Sequence, residues 1–184
     1  YTMTFRLIVF DVGGTLLYPQ KTVRTWYKEI FDSYGLQLTE EALTSGLNKA
    51  TTFMDEVYSL MLSKGGFHSL SEQARRSYYL QSLEIVLKEI HYSDNCQAFA
   101  KEIYETFDPD LDFTLYPGAR KVIPLLAEHF SLGLCSNWNL KQSVEAVFRK
   151  FDYRRYFSYI FQSSILGFGK PHPMIYQLII ETTN

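Results

Sequence analysis

Only two cysteines occur in the chain, Cys96 and Cys135, and no CxxC spacing is present. That excludes a disulfide-stapled scaffold and a cysteine-rich metal site, and a reducing compartment is expected. Long apolar runs are also missing, since nothing approaches the roughly 18 residues that a membrane-spanning helix needs. The first apolar stretch, Phe5 to Phe10, is shorter than a signal-peptide core and leads directly into Asp11, with no small-residue cleavage site. The expectation is therefore a cytoplasmic protein with no membrane partner. Neither sign of charge is in excess: 18 Lys and Arg against 20 Asp and Glu leave a formal net charge of -2. There is no basic field to attract nucleic acid. The four histidines, His68, His91, His129 and His172, form no i,i+4 pair and have no cysteine partner, so zinc ligation is not expected.

What is present suits a globular protein. With 46% hydrophobic residues in 184, the chain can bury a core of one large domain, or of a modest domain carrying an insert. The 14 Tyr and 14 Phe are read as packing area rather than as base-stacking platforms. The sequence opens on Tyr1 and closes on Glu181-Thr182-Thr183-Asn184 directly after an apolar helical pattern, as expected of a trimmed product.

Hydrophobic periodicity divides the chain. Phe5 to Phe10 is a nearly continuous apolar run before Asp11 and two glycines, which predicts a parallel strand buried on both faces. From about residue 20 to 110 the period is helical. Val23, Trp26, Tyr27, Ile30, Phe31 and Tyr34 share one face; Tyr79, Leu83, Val86, Leu87 and Ile90 a second; Cys96, Phe99, Ala100, Ile103 and Phe107 a third. Beyond the turn-rich Asp108 to Asp112, the spacing predicts a helix from Gly118 to about His129, with Pro124 an obstacle inside it. A strand over Ser131 to Cys135, a helix over 140–150, a strand over Tyr159 to Gln162 and a last helix after Pro173 follow. The fold class is α/β: a parallel sheet built from both ends of the chain, interrupted by an all-helical insert.

Ligands of such sheets gather beyond the carboxyl ends of the strands. Three polar clusters lie there: Asp11-Val12-Gly13-Gly14-Thr15, then Ser136-Asn137, then Gly169-Lys170-Pro171. A carboxylate can serve as nucleophile or metal ligand, a hydroxyl and backbone donors can hold phosphate oxygens, and an ammonium can neutralise the charge.

In type, order and spacing these motifs resemble the haloacid dehalogenase superfamily, mostly phosphatases with an aspartate nucleophile. The resemblance covers nearly the whole chain. It implies a Rossmann-like core over 1–17 and 114–184, with the family's helical cap over 18–113. It further implies a small phosphorylated substrate and Mg²⁺, with Asp11 as nucleophile and metal ligand and the Gly13 carbonyl on the metal. Ser136 and Asn137 would hold phosphate oxygens together with Gly14 and Thr15 of the first loop, and Lys170 would neutralise nucleophile and transferring group.

Two departures stand out. The family's phosphatases carry a second Asp two residues after the nucleophile as general acid and base, and here that position is Gly13. The family's acidic motif lies 20 to 30 residues beyond the lysine, and this chain ends 14 residues after Lys170, so those carboxylates are expected beyond Asn184. His172 replaces the usual Asp after Lys-Pro and is expected to matter for the last helix more than for chemistry. Three other readings stay open: a silent phosphate-binding or interaction protein, a 2-haloacid dehalogenase, and a fragment of an actin-like sugar kinase, whose phosphate loop Asp11 to Thr15 resembles. Substrate identity and oligomeric state are not legible.

Overall fold

The computed structural model describes residues 6–62, 66–67, 70–106, 113–138 and 143–183. Two compact units form, one from Tyr1–Gln20 with Pro109–Asn184 and the other from Lys21–Asp108.

In the first unit β1 (Leu7–Phe10), β4 (Ser131–Ser136) and β5 (Tyr159–Gln162) make a three-stranded parallel sheet with β4 in the middle. Phe10 pairs with Leu134, and Ser136 with Gln162. Alternation sends the side chains to opposite faces, as the two-residue period of a strand requires. Ile8, Phe10, Leu132, Leu134 and Ile160 join one core with Ile123 of α5 (Pro117–Ala127) and with Val144, Val147 and Phe148 of α6 (Val144–Lys150). Val9, Cys135, Tyr159 and Phe161 face the other way, onto Ile175, Leu178 and Ile179 of α8 (Pro173–Thr183). Helices on both faces explain why these strands read as unbroken apolar runs.

A second, two-stranded sheet was not expected. β2 (Leu17–Pro19) pairs antiparallel with β3 (Phe113–Leu115), Leu17 opposite Leu115. Three residues are too few to register a period, and Pro19 argues locally against a strand. Among the described residues β1 pairs only with β4, so no antiparallel hairpin follows Asp11 of the kind a sugar-kinase phosphate loop requires.

Pro124 lies well inside α5 and cannot donate to the carbonyl of Arg120 four residues back. The Tyr153 hydroxyl donates to that carbonyl instead, at 2.9 Å. Tyr153→Phe should therefore cost about 1 kcal/mol in chemical denaturation, the net value of a hydrogen bond. The cost should shrink in a Pro124→Ala background, where a backbone donor returns. An equal cost in both backgrounds would mean that the hydroxyl does not substitute for the missing N–H.

The second unit is helical: α1 (Val23–Ser33), α2 (Glu40–Leu62), α3 (Glu72–Glu89) and α4 (Cys96–Thr106). Each starts just after a capping residue, since Thr22, Thr39, Ser71 and Asn95 accept backbone N–H groups of the first turn through their side-chain oxygens. The three expected faces meet in one core through Phe31, Val86, Leu87, Phe99, Ala100 and Ile103. The ends of the first face, Val23 and Tyr34, stay exposed, and Phe107 lies outside the described residues. Gly46 lets α2 approach α3 closely, because a Cβ there would stand 3.2 Å from the Val86 Cα.

Candidate functional site

Three chain segments converge at the carboxyl edge of the parallel sheet. Asp11 follows β1, Ser136 ends β4, and Lys170 comes after β5 and the short α7 (Ser163–Leu166). The lysine Nζ donates to Asp11 Oδ1 at 2.5 Å, a contact between residues 159 positions apart in sequence. The second carboxylate oxygen, Oδ2, accepts from the Thr15 hydroxyl at 3.2 Å. Burial pushes the Asp11 carboxyl up, but the Lys170 ammonium, the Val12 backbone N–H and the Thr15 hydroxyl outweigh it and hold the group below its usual value. Asp11 is thus an ionised, oriented carboxylate at the end of a rigid strand.

The loop after β1 is held by its own backbone. The Val12 carbonyl accepts from Leu16 and Leu17 at 2.9 Å each and from Thr15 at 3.3 Å, while Gly14 donates to the Leu17 carbonyl at 2.8 Å. Gly14 sits at φ +76°, where a side chain would be strained. Because the N–H groups of Gly14 and Thr15 donate within the loop, those two residues shape the turn instead of offering free backbone donors to a ligand. Gly13 differs: its φ is ordinary and a Cβ added there would meet no atom within 4 Å.

Asn137 does more than its position after β4 implied. Its side-chain oxygen accepts from the Lys170 backbone N–H at 2.8 Å, and its amide donates to the Lys170 carbonyl at 2.7 Å. One side chain thus clamps the lysine's own peptide groups. The clamp needs Gly169, where a Cβ would fall 2.3 Å from Asn137 Oδ1 and 2.9 Å from the Ser163 Cβ. Ser163, fully buried, accepts the Trp138 backbone N–H at 3.0 Å and so ties β4's exit to β5's exit. Gln162 accepts from the Val144 N–H at 2.8 Å and donates to the Ser164 hydroxyl at 2.7 Å. These two residues were not singled out from sequence, although Gln162-Ser163-Ser164 is a polar run at a predicted strand end. Ser136 is buried, and among the described residues its hydroxyl has no hydrogen-bond partner.

Of the other residues considered, Cys135 faces the α8 side of the sheet, and burial raises its thiol pKa, so it stays protonated. His172 accepts from the Met174 N–H at 3.2 Å through Nδ1, acting as a cap for the last helix. Among the described residues no three His, Cys, Asp or Glu side chains gather as metal ligands. The hard oxygens at this edge are the Asp11 carboxylate and the Gly13 carbonyl, which accepts no backbone hydrogen bond among the described residues. That donor set suits the way Mg²⁺ is often held, by one or two carboxylates completed by water and phosphate oxygens. No described helix is long and apolar enough to cross a membrane.

Comparison with known proteins identifies the family and the fold. The family model for haloacid dehalogenase-like hydrolases matches residues 5–184. The haloacid dehalogenase-like hydrolase domain-containing protein 3 of Xenopus laevis is 27% identical over 171 residues, which is 92% of this chain and 68% of that protein. A phosphorylated carbohydrates phosphatase of Thermotoga maritima is 21% identical over 96% of this chain and 70% of its own length. In three dimensions the chain is similar to the magnesium-bound crystal structure of a HAD hydrolase from Bacillus subtilis, with a TM-score of 0.67 at 20% identity over 97% of this chain and 74% of that one. It is also similar to an L-2-haloacid dehalogenase of Xanthobacter autotrophicus, with a TM-score of 0.58 at 17% identity over 98% and 65%. The parallel sheet, the aspartate at the end of its first strand and the matched length lead to one assignment: the chain belongs to the haloacid dehalogenase-like hydrolases.

Proposed function

We propose that the chain is a phosphatase of small phosphorylated molecules that works through an aspartyl-phosphate on Asp11. The observation that carries this reading is the 2.5 Å contact between Asp11 Oδ1 and Lys170 Nζ at the carboxyl edge of the sheet, with Asn137 clamping the lysine's backbone. An ionised carboxylate is a competent nucleophile. The ammonium beside it offsets the repulsion between that carboxylate and an incoming phosphoryl group. Ser136, whose hydroxyl is uncommitted, is the donor we assign to a phosphate oxygen. Thr15 keeps the carboxylate oriented, and Asn137 positions Lys170.

Mg²⁺ would be held by the Asp11 carboxylate and the Gly13 carbonyl. When bound it supplies charge neutralisation at the transferring phosphoryl group. We assign the helical unit, Lys21–Asp108, the role of a cap that selects the substrate.

The test is Mg²⁺-dependent release of p-nitrophenolate from p-nitrophenyl phosphate, with Asp11→Asn as control. Release that persists in Asp11→Asn would refute the nucleophile assignment. A second reading is favoured by Gly13, which removes the usual acid and base: a protein that binds phosphate without hydrolysing its esters. Phosphate binding by calorimetry with no release from any donor would establish it. Dehalogenation would use the same aspartate and a leaving halide that needs no proton. Chloride release from 2-chloropropionate, with no phosphatase activity, would identify that chemistry.

A further inference from the structure

We infer that the site accepts only phosphoryl donors whose leaving group can depart as an anion, namely acyl phosphates, phosphoanhydrides and aryl phosphates, and that it is nearly inert toward alkyl phosphates. The inference rests on the reading of Asp11 as the nucleophile. It begins at Gly13, which has no side chain and whose missing Cβ is not replaced by any neighbouring atom within 4 Å. Among the described residues of this unit, none fills that place.

The side chains that bond Asp11 stand on the nucleophile's side. Thr15 and Lys170 are the two side chains hydrogen-bonded to Asp11 among the described residues, and both contact the carboxylate oxygens themselves. In an in-line displacement the attacking oxygen and the leaving oxygen lie on opposite sides of phosphorus. Groups gathered at the nucleophile are therefore remote from the atom that needs a proton. Cys135 is buried against Phe161 and Ile175 in the core on the α8 side, and His172 Nδ1 accepts as a helix cap.

A carboxylate oxygen of Asp11 forms a bond to phosphorus as the bond from phosphorus to the leaving oxygen breaks. The bonding pair stays on that oxygen, which departs as a carboxylate, phosphate or phenolate without a proton. An alkoxide formed in the same way is far too basic to leave, and without a general acid the rate falls about 10²–10⁴-fold. In the second half, water attacks the phosphorus of the aspartyl-phosphate. Asp11 is regenerated and the two protons of that water leave with inorganic phosphate. No base at position 13 assists the attack, so dephosphorylation is slow and the aspartyl-phosphate accumulates.

The experiment compares kcat/KM, which reports the first departure alone, for acetyl phosphate, a series of phenyl phosphates of graded leaving-group acidity, glycerol phosphate and glucose 6-phosphate. In the native protein kcat/KM should rise steeply with leaving-group acidity, with the alkyl phosphates at least about 10²-fold below p-nitrophenyl phosphate. A pre-steady-state burst of p-nitrophenolate close to one per active site should accompany it. Gly13→Asp fits the open space without a positive φ. It should lower the aryl-to-alkyl ratio by about 10²-fold and abolish the burst, whereas Gly13→Asn, which cannot transfer a proton, should do neither.

Similar kcat/KM for alkyl and aryl phosphates in the native protein would overturn the inference while leaving Asp11 as nucleophile, because an acid from elsewhere would then reach the leaving oxygen. An unchanged ratio in a folded Gly13→Asp variant would overturn it as well. If no donor is turned over and no hydroxylamine-sensitive phosphoryl group forms on Asp11, the underlying phosphatase reading fails and the inference fails with it.

Discussion

Replacing Asp11 by Asn should abolish phosphatase turnover, by on the order of 10⁴-fold or more, as removal of a covalent nucleophile does in other hydrolases. The fold should survive. The amide is nearly isosteric with the carboxylate, its oxygen can still accept from Lys170, and its NH₂ can donate to the Thr15 hydroxyl in place of the present contacts at 2.5 and 3.2 Å. What disappears is the ion pair, whose members are 27% and 42% exposed and whose loss should cost no more than about 1 kcal/mol. Melting by circular dichroism and p-nitrophenyl phosphate turnover on the same sample separate the two effects. A variant that loses both together would make Asp11 a structural residue; one that loses neither would remove it from the mechanism.

Gly169→Ala should have the next largest effect, although residue 169 is assigned no contact with substrate. The new methyl group would fall 2.3 Å from Asn137 Oδ1, the atom that accepts the Lys170 N–H, and 2.9 Å from the Ser163 Cβ. Asn137 can swing away easily because the clash is at its tip. Doing so forfeits both bonds that fix the Lys170 backbone, and misplacing a group by about 1 Å can cost 10²-fold in rate. Ser163 is fully buried and cannot yield so readily, which adds about 1–3 kcal/mol of overpacking.

We therefore expect kcat to fall about 10²-fold with a modest loss of stability, and Asn137→Ala to reproduce the rate loss without the packing cost. Because both changes act on one clamp, the double variant should be no slower than Asn137→Ala alone. Multiplying effects would show that the two residues act on Lys170 independently. In that case Asn137 would not be its positioning residue.

The sheet was legible because its strands are parallel and covered on both faces, so each announces itself as an apolar run: Leu7–Phe10, Ser131–Ser136 and Tyr159–Gln162. In the second unit α1, α3 and α4 were legible from apolar faces that repeat every 3.6 residues, whereas α2 was given no face of its own. Leu17–Pro19 and Phe113–Leu115 were not, because a three-residue strand is defined by the partner it meets, and these partners lie almost a hundred residues apart. The helix through Pro124 was legible from its flanks, but the hydroxyl that satisfies the Arg120 carbonyl belongs to Tyr153, 33 residues away.

The site divides along the same line. The chemical types of Asp11, Ser136 and Lys170, and the loss of a proton-transferring side chain at Gly13, are properties of the sequence alone. They are local, and each follows a recognisable strand end. That Lys170 reaches Asp11, that Asn137 holds the lysine by its backbone, that Gly169 must lack a Cβ and that position 13 stands open to a side chain were decided only by the tertiary structure. Each is a distance between atoms carried by different strands or loops, and such distances are set by packing across the sheet rather than by any spacing along the chain.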